Sequence, residues 1–192
     1  METPATEADI ESPPREPSPA RLKRRARVMA ALVALLVLMA INLAIGSDRL
    51  RLERVVSESM TPTLRVRDVL LADPNALIRR DDIVIFEDPE NPEEKMVKRV
   101  IGMPGDLVLI QDGALFVNGR PHPGAGRDGP RPWRDVRVNI PAASYFVMGD
   151  NRTDSYDSLH FGPVALGDIH GVMIAVVWPP RRWSRPARLL AE

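Results

Sequence analysis

Hydrophobic residues are concentrated first in one long run near the start of the chain. Residues 28–45 are apolar except for Asn42, and at about 1.5 Å per residue a helix of this length extends roughly 27 Å, close to the hydrocarbon thickness of a bilayer. The run lacks the periodic polar positions of a buried core helix. Ala44 and Gly46 mimic a small-x-small cleavage site, but the run is longer and begins later than in a cleaved signal peptide. We therefore predict a retained transmembrane helix over residues 28–46.

After this run the pattern changes to short apolar and β-branched segments separated by turn residues, which is typical of β-strands. Asp112 and Gly113 lie between two such segments and predict a β-hairpin, and residues 121–132 predict a flexible loop. No long amphipathic helix follows residue 50. We predict a mainly β fold, in which a single transmembrane helix precedes a compact all-β domain, a small barrel or sandwich. The predicted strands cover residues 69–72, 83–86, 96–101, 107–110, 115–117, 136–140, 145–148 and 172–178.

The segment before the apolar run indicates which way the chain is oriented. The first twenty residues contain five prolines and five carboxylates, so we predict that residues 1–27 form a disordered tail with a basic flank. Five Lys or Arg residues precede the apolar run closely, against three in the nine residues after it. By the positive-inside rule the N-terminus is cytoplasmic, and residues 47–192 form an extracytoplasmic domain.

Composition and charge exclude several classes of function. Lysine plus arginine and aspartate plus glutamate each total 26, so no chain-wide basic field exists for binding nucleic acid. The chain has no cysteine and only three histidines, none in zinc-hydrolase spacing. We therefore expect no nucleic-acid partner, no metal and no cofactor.

A candidate nucleophile lies just after the apolar run. Ser57 and Ser59 are two residues apart, so in an extended chain their hydroxyls point the same way, and Pro62 disfavours helix at Thr61. The two serines can therefore converge on one reacting centre. Taken alone, the segment is better interpreted as only a polar connection between helix and domain.

A candidate base lies in a predicted strand. On that strand Lys98 shares a face with Met96 and Val100, and apolar surroundings lower the pKa of a lysine until its neutral form can accept a proton from a serine. Arg99 cannot do this, because a guanidinium stays protonated. A single lysine is otherwise most often solvated at its tip or paired with a carboxylate.

A third segment, residues 149–164, carries charges of both signs within a short stretch. Alone it would be interpreted as a charged, polar loop. Its acidic and basic residues are Asp150, Arg152, Asp154 and Asp157, with Ser155 and Ser158 between them.

In this order, the three segments resemble the type I signal peptidase family. Its patterns are S-x-S-M-x-P-T-L, a lysine-arginine pair followed by G-x-P-G-D, and G-D-N-R followed by S-x-D-S. Residues 161–164 and the ending VWPPRRW resemble its mitochondrial inner-membrane branch. The matching residues are Ser57, Ser59, Met60, Pro62, Thr63 and Leu64; Lys98, Arg99, Gly102, Pro104, Gly105 and Asp106; and Gly149, Asp150, Asn151, Arg152, Ser155, Asp157 and Ser158.

This resemblance implies a membrane-bound serine endopeptidase that removes N-terminal signal peptides from exported preproteins. By it, Ser59 is the nucleophile and Lys98 the general base, a Ser-Lys dyad. The Ser57 hydroxyl and the Ser59 backbone N–H would form the oxyanion hole, and Ser155 would orient the lysine. The resemblance also implies a supporting charge network made of Arg99, Asp150, Arg152 and Asp157.

The resemblance further implies the partners and the location. Substrates would be preproteins with small residues at the cleavage site, and we expect a monomer that also contacts membrane lipid, with Trp183 as the interfacial residue and Trp178 in the core. The acidic N-terminus favours a bacterial plasma membrane over a mitochondrial inner membrane, because a presequence is Arg-rich.

One departure and three alternatives accompany the resemblance. Leu159 stands where the family usually has arginine, so Asp157 needs another charge partner, for which Arg99 and Arg152 are the candidates. A pilin-maturing peptidase of the conjugation type and an inactive, membrane-tethered β domain that binds exported segments are the alternative functions. A Ser-His-Asp hydrolase is disfavoured because no G-x-S-x-G motif is present.

Overall fold

The computed structural model describes residues 19–46, 49–122 and 135–183. The chain divides into two compact units, Met1–Leu43 and Ala44–Glu192. Most of the predicted tail and most of the predicted loop 121–132 lie outside the described residues.

A long helix, α1, spans Pro19–Gly46 and lies mostly within the first unit. It begins nine residues before the predicted start, so the basic end of the predicted tail is helical rather than disordered; alanine, leucine, lysine and arginine all favour helix, and proline is tolerated in a first turn. The large apolar side chains described between Val28 and Leu43 are exposed. No helix in the described part of the chain combines the length and hydropathy of a membrane span, and the membrane-spanning role of α1 stays a prediction.

The second unit is built from β-strands, which confirms the mainly β prediction. Each of the eight predicted strands is present, with ends displaced by up to three residues. Three short strands, at Arg51–Arg54, Arg120–Pro121 and Val164–Ala165, and the four-residue helix at Ser158–Phe161 were not predicted, because such short segments carry little periodicity. The elements are β1 Arg51–Arg54, β2 Val69–Asp73, β3 Ile83–Glu87, β4 Lys95–Gly102, β5 Leu107–Gln111, β6 Ala114–Val117, β7 Arg120–Pro121, β8 Val136–Asn139, β9 Ser144–Met148, α2 Ser158–Phe161, β10 Val164–Ala165 and β11 Ile169–Trp178.

Two antiparallel sheets organise these strands. A seven-stranded sheet has the order β1-β2-β11-β3-β4-β9-β10, and a four-stranded sheet has the order β7-β6-β5-β8. A buried cluster joins them, since Ile101 and Phe146 of the larger sheet pack with Val108 and Leu115 of the smaller one. Gly102 lies at this junction, where an added Cβ would come within 2.8 Å of the Val108 side chain. The sheets therefore approach closely where β4 leads into β5.

The predicted hairpin between β5 and β6 is confirmed. Gln111 pairs with Ala114, and the two residues between them, Asp112 and Gly113, have φ angles of 50° and 71°. Positive φ at both central positions suits the right-handed twist of the flanking strands, and it is why Asp-Gly is a reliable hairpin signal.

Strand β4 is central to the larger sheet and carries the candidate base. It pairs with β3 on one side and β9 on the other, with Val84 opposite Lys98 and Met148 opposite Arg99. Burial rises along the strand from exposed Lys95 to fully buried Ile101. The strand thereby carries two cationic side chains into the interior, where their charges need partners.

Candidate active site

Ser59 lies in a turn that follows β1, rather than in the extended chain that the spacing suggested. Backbone hydrogen bonds close the base of this turn, from Val55 N–H to the Asp68 carbonyl and from Arg67 N–H to the Val55 carbonyl, each 2.9 Å. Met60 and Leu64 are buried and anchor the turn in the core. The serine hydroxyls nevertheless converge, because Ser57 Oγ and Ser59 Oγ are 3.1 Å apart.

Lys98 reaches this turn from β4. Its Nζ lies 2.8 Å from Ser59 Oγ, as a hydrogen-bond donor, and only 3% of Lys98 and 8% of Ser59 are exposed. Burial lowers the pKa of Lys98, while the negative charges of Asp157 and Asp88 act in the opposite direction. The site therefore holds an amine that is easier to deprotonate than an ordinary lysine, in contact with a serine hydroxyl.

The loop between β9 and α2 supplies the third part of the site. Asp157 caps α2 by accepting from Leu159 N–H at 3.1 Å, and its other oxygen accepts from Ser155 Oγ at 2.8 Å and from Gly149 N–H at 3.1 Å. These bonds fold residues 149–157 back on themselves. The Ser155 hydroxyl is thus bonded to Asp157, and its contact with Lys98 stays a prediction.

The same loop is tied to the nucleophile turn. Asn151 N–H donates to the Ser59 carbonyl at 2.9 Å, and Asn151 Nδ2 donates to the Glu58 carbonyl at 3.3 Å. Gly149 has no room for a side chain, since an added Cβ would lie 2.5 Å from the Ser59 carbonyl oxygen and would also collide with Ser155. Ser59, Gly149 and Ser155 are therefore in close contact.

A buried ion pair lies on the face of β4 opposite to Lys98. Arg99 is 1% exposed and binds both carboxylate oxygens of Asp150, at 2.8 and 2.6 Å, and the Asp81 carbonyl at 2.7 Å. Because Arg99 and Lys98 are consecutive on β4, they point to opposite faces. The two cations thus fall on different sides of the sheet, and Arg99 pairs with Asp150.

Asp157 accepts hydrogen bonds from neutral donors, and leucine occupies position 159, where the family usually has arginine. Besides its three hydrogen bonds, His160 Nδ1 lies 3.9 Å from Asp157 Oδ1. Arg152 is buried and its Nη1 lies 3.6 Å from Met148 Sδ. Leu159 itself contacts Asp157 through its backbone N–H.

Sequence reasoning missed several long-range polar contacts of this domain. Asp106 accepts from Arg80 Nη2 at 2.8 Å and from Asn118 Nδ2 at 2.7 Å, although both lie far from it in the chain. Arg182 donates to the Thr63 carbonyl at 3.0 Å and pairs with Asp68 at 3.1 Å. No local pattern marks which residues pair; Asp106 and Asn151 themselves had a signal, because they belong to the G-x-P-G-D and G-D-N-R motifs.

Two further observations concern binding outside the dyad. Within the described ranges, no group of three or more His, Asp or Glu side chains is arranged to hold a metal ion. Trp178 is 58% exposed and Trp183 is 77% exposed. The expectation of a core position for Trp178 is therefore wrong, because the side chain lies at the exposed end of β11.

Comparisons with known proteins identify a family and relatives that match most of the chain. The family described as signal peptidase, peptidase S26, matches residues 24–178. Signal peptidase I of Leptolyngbya laminosa is 32% identical over 183 residues, 90% of each chain. Mitochondrial inner membrane protease subunit 2 of Danio rerio is 33% identical over 148 residues, 72% of this chain and 70% of that one.

Among solved structures, a signal peptidase I from Enterococcus faecalis V583 is 32% identical and covers 50% of this chain and 97% of that chain, with a TM-score of 0.45. The sequence relatives confirm the resemblance to both the bacterial and the mitochondrial branches, which match this chain at nearly equal identity. The chain therefore belongs to the signal peptidase family, peptidase S26, and is a serine peptidase of the signal peptidase I type.

Proposed function

We propose that this protein is a membrane-bound endopeptidase that cleaves signal peptides from exported preproteins, with Ser59 as the nucleophile and Lys98 as the general base. Membership of the family implies preproteins with signal peptides as substrates. The observation that carries the proposal is the 2.8 Å contact between Lys98 Nζ and Ser59 Oγ. Both side chains are buried, and a nucleophile within hydrogen-bond reach of a base is the geometry that activates a serine.

The chemistry follows from the protonation state of the amine. With Lys98 neutral, the same contact serves for transfer of the Ser59 hydroxyl proton to Nζ as Oγ forms a bond to the scissile carbonyl carbon. The resulting ammonium then donates that proton to the leaving amine as the C–N bond breaks. Lys98 next deprotonates the water that attacks the acyl-enzyme, which releases the signal peptide and restores the Ser59 hydroxyl.

The oxyanion formed in each step needs hydrogen-bond donors. We assign this role to the Ser57 hydroxyl and the Ser59 backbone N–H. The 3.1 Å separation of Ser57 Oγ from Ser59 Oγ supports the assignment, since a group bonded to Ser59 Oγ would place its oxygen within reach of the Ser57 hydroxyl. Loss of one such donor typically costs about 3 to 4 kcal/mol of barrier.

Ser155 and the buried charges have supporting roles in this proposal. Because the Ser155 O–H donates to Asp157, the lone pairs of its oxygen are free to accept from the Lys98 amine. Arg99 and Asp150 hold the start of the loop against β4, and Arg152 and Asp157 hold the rest of it. Removal of any of these would displace the Lys98 amine rather than remove a reacting atom.

The proposal includes a membrane anchor and a cell location. A continuous helix over Pro19–Gly46 with exposed apolar side chains supports insertion of residues 28–46 into a bilayer. The basic residues before this segment support a cytoplasmic N-terminus, with residues 47–192 on the outer side of a plasma membrane. Exposed Trp183 supports contact with lipid, and the protein would act as a monomer without nucleic acid.

The deciding experiment uses the purified full-length chain in detergent. A preprotein with small residues at positions −1 and −3 of its cleavage site should be cut by the wild type and left intact by Ser59→Ala. Thr63→Ala, a change in the same turn outside the proposed machinery, is the matched control and should cleave. Cleavage by a folded Ser59→Ala protein at the wild-type rate would refute the assignment of the nucleophile.

A further inference from the structure

Asn151 bridges two successive carbonyl groups of the nucleophile turn, although the mechanism above gives it no role. Its backbone N–H donates to the Ser59 carbonyl at 2.9 Å, and its side-chain Nδ2 donates to the Glu58 carbonyl at 3.3 Å. The amide orientation follows from its partners, because a carbonyl can only accept. Thr153 Oγ1 lies 3.1 Å from Asn151 Oδ1 and donates to the other end of the amide.

Peptide geometry makes the side-chain contact informative about the oxyanion hole. The Glu58 carbonyl and the Ser59 N–H belong to one planar peptide unit, in which they point in opposite directions. A donor that holds the Glu58 oxygen therefore also sets the direction of the Ser59 N–H. The contact lies on the Asn151 side of this unit, so the N–H points away from Asn151.

The turn cannot set this direction by itself. Thr61 N–H also donates to the Glu58 carbonyl, at 2.9 Å, but that bond lies within the turn and moves with it. Asn151 belongs to the loop after β9, whose position is determined by the Asp150–Arg99 ion pair and by the bond from Gly149 to Asp157. The Asn151 amide therefore fixes the orientation of the Ser59 peptide relative to β4, the strand that carries Lys98.

We propose that Asn151 is a positioning residue that holds the Ser59 N–H in the direction needed to stabilise the oxyanion. The inference rests on the proposed function, because it presupposes that the Ser59 N–H is an oxyanion donor. The two hydrogen bonds of Asn151 then have different roles. The bond from its backbone N–H holds the loop against the turn, and the bond from its side chain orients the Ser59 N–H.

The test replaces Asn151 by alanine, which removes the side-chain donor and keeps the backbone N–H. Because the oxyanion exists only in the transition state, kcat should fall about tenfold to a hundredfold with KM unchanged, less than on loss of a donor outright. A peptide aldehyde, whose adduct with Ser59 carries the same oxyanion, should lose affinity by the same factor. The pH at which kcat/KM is half-maximal should not move, since Lys98 keeps its surroundings.

The matched control is Asp154→Ala, an exposed change in the same loop, which should behave as wild type in all three measurements. Asn151→Asp keeps the volume and lacks the donor, so it decides the question if the alanine variant is unfolded by circular dichroism. Wild-type kcat in a folded Asn151→Ala or Asn151→Asp protein would overturn the inference. So would a loss of activity expressed in KM alone, or one without weaker aldehyde binding.

The two proposals fail in different ways. If the wild type and Ser59→Ala cleave the preprotein equally, the proposed function is lost and the Asn151 inference with it. If Ser59→Ala is inactive while Asn151→Ala keeps the wild-type kcat and aldehyde affinity, the inference alone is lost.

Discussion

At the scale of single residues, the site depends on an amine that the fold has made easier to deprotonate. Lys98 is almost completely buried, and desolvation is the largest cause of its lowered pKa. The carboxylates of Asp157 and Asp88 oppose this effect, so the fold balances burial against nearby negative charge. An arginine in the same place would keep its proton, because the guanidinium pKa lies above about 12.

Replacing Lys98 by arginine should therefore abolish cleavage, with a rate loss of about 10⁴ to 10⁶ by comparison with other catalytic-group knockouts. In the wild type the active, neutral fraction grows as pH rises through a pKa below the ordinary lysine value of 10.5, so kcat/KM should increase with pH. The measurement is cleavage of a signal-bearing preprotein from about pH 6 to 10, a range set by these pKa values.

The matched control for this prediction is Lys95→Arg, at the exposed end of the same strand, which should keep activity. Circular dichroism should show that both variants are folded. If a folded Lys98→Arg protein retained a tenth of the wild-type rate at any pH, Lys98 would not be the base.

At the scale of elements, the site is an assembly of one turn, one strand and one loop. The nucleophile turn follows β1, the base lies on β4, and the loop follows β9, which pairs with β4 in the larger sheet. The loop reaches the turn closely because Gly149 lacks a side chain. The packing between loop and turn is therefore as important for the site as the chemistry of the serine and the lysine.

Gly149→Ala should consequently disrupt the site. The added Cβ would overlap the Ser59 carbonyl oxygen and the Ser155 side chain, and such overpacking typically costs about 1 to 3 kcal/mol of stability. Because the displaced groups belong to the site, cleavage should fall by at least tenfold, a loss equivalent to about 1.4 kcal/mol of barrier. Thermal unfolding followed by circular dichroism and the rate of preprotein cleavage measure the two effects.

Gly167→Ala is the control for this prediction, because no atom lies within 4 Å of a Cβ at that position. It should change neither stability nor rate. Equal behaviour of the two alanine variants would show that the turn and the loop are not packed as closely as the structure has them.

At the scale of the whole molecule, the proposed arrangement has a helical segment in the bilayer and the catalytic domain outside. Five basic residues before the apolar run support this proposed orientation by the positive-inside rule. They are Arg21, Lys23, Arg24, Arg25 and Arg27.

Protease added to sealed, right-side-out spheroplasts should therefore digest the domain after residue 47 and leave a cytoplasmic marker intact. A variant in which those five residues are glutamine should insert partly in the opposite orientation, because the basic residues that remain close to the apolar run, Arg49, Arg51 and Arg54, lie after it. Protection of the wild-type domain in spheroplasts, with digestion in inverted vesicles, would contradict the proposed topology.

The sequence by itself determined the mainly β fold and the family. Eight strands were predictable because each is a short β-branched or apolar run between turn residues, and the Asp112-Gly113 hairpin was predictable because its backbone conformation depends on those two residues alone. The pairing of Ser59 with Lys98 came from the family resemblance, since no periodicity relates residues in different elements.

Only the tertiary structure decided which groups meet across the site. The serine hydroxyls converge through a turn and not through an extended chain, and Asp157 accepts from Ser155 and Gly149 because its own loop folds back on it. Asn151 and Ser59 are joined although they follow different strands, β9 and β1, which do not pair with each other. Such contacts depend on sheet order and on the space left by Gly149, and these are properties of the assembled chain that no local stretch of sequence encodes.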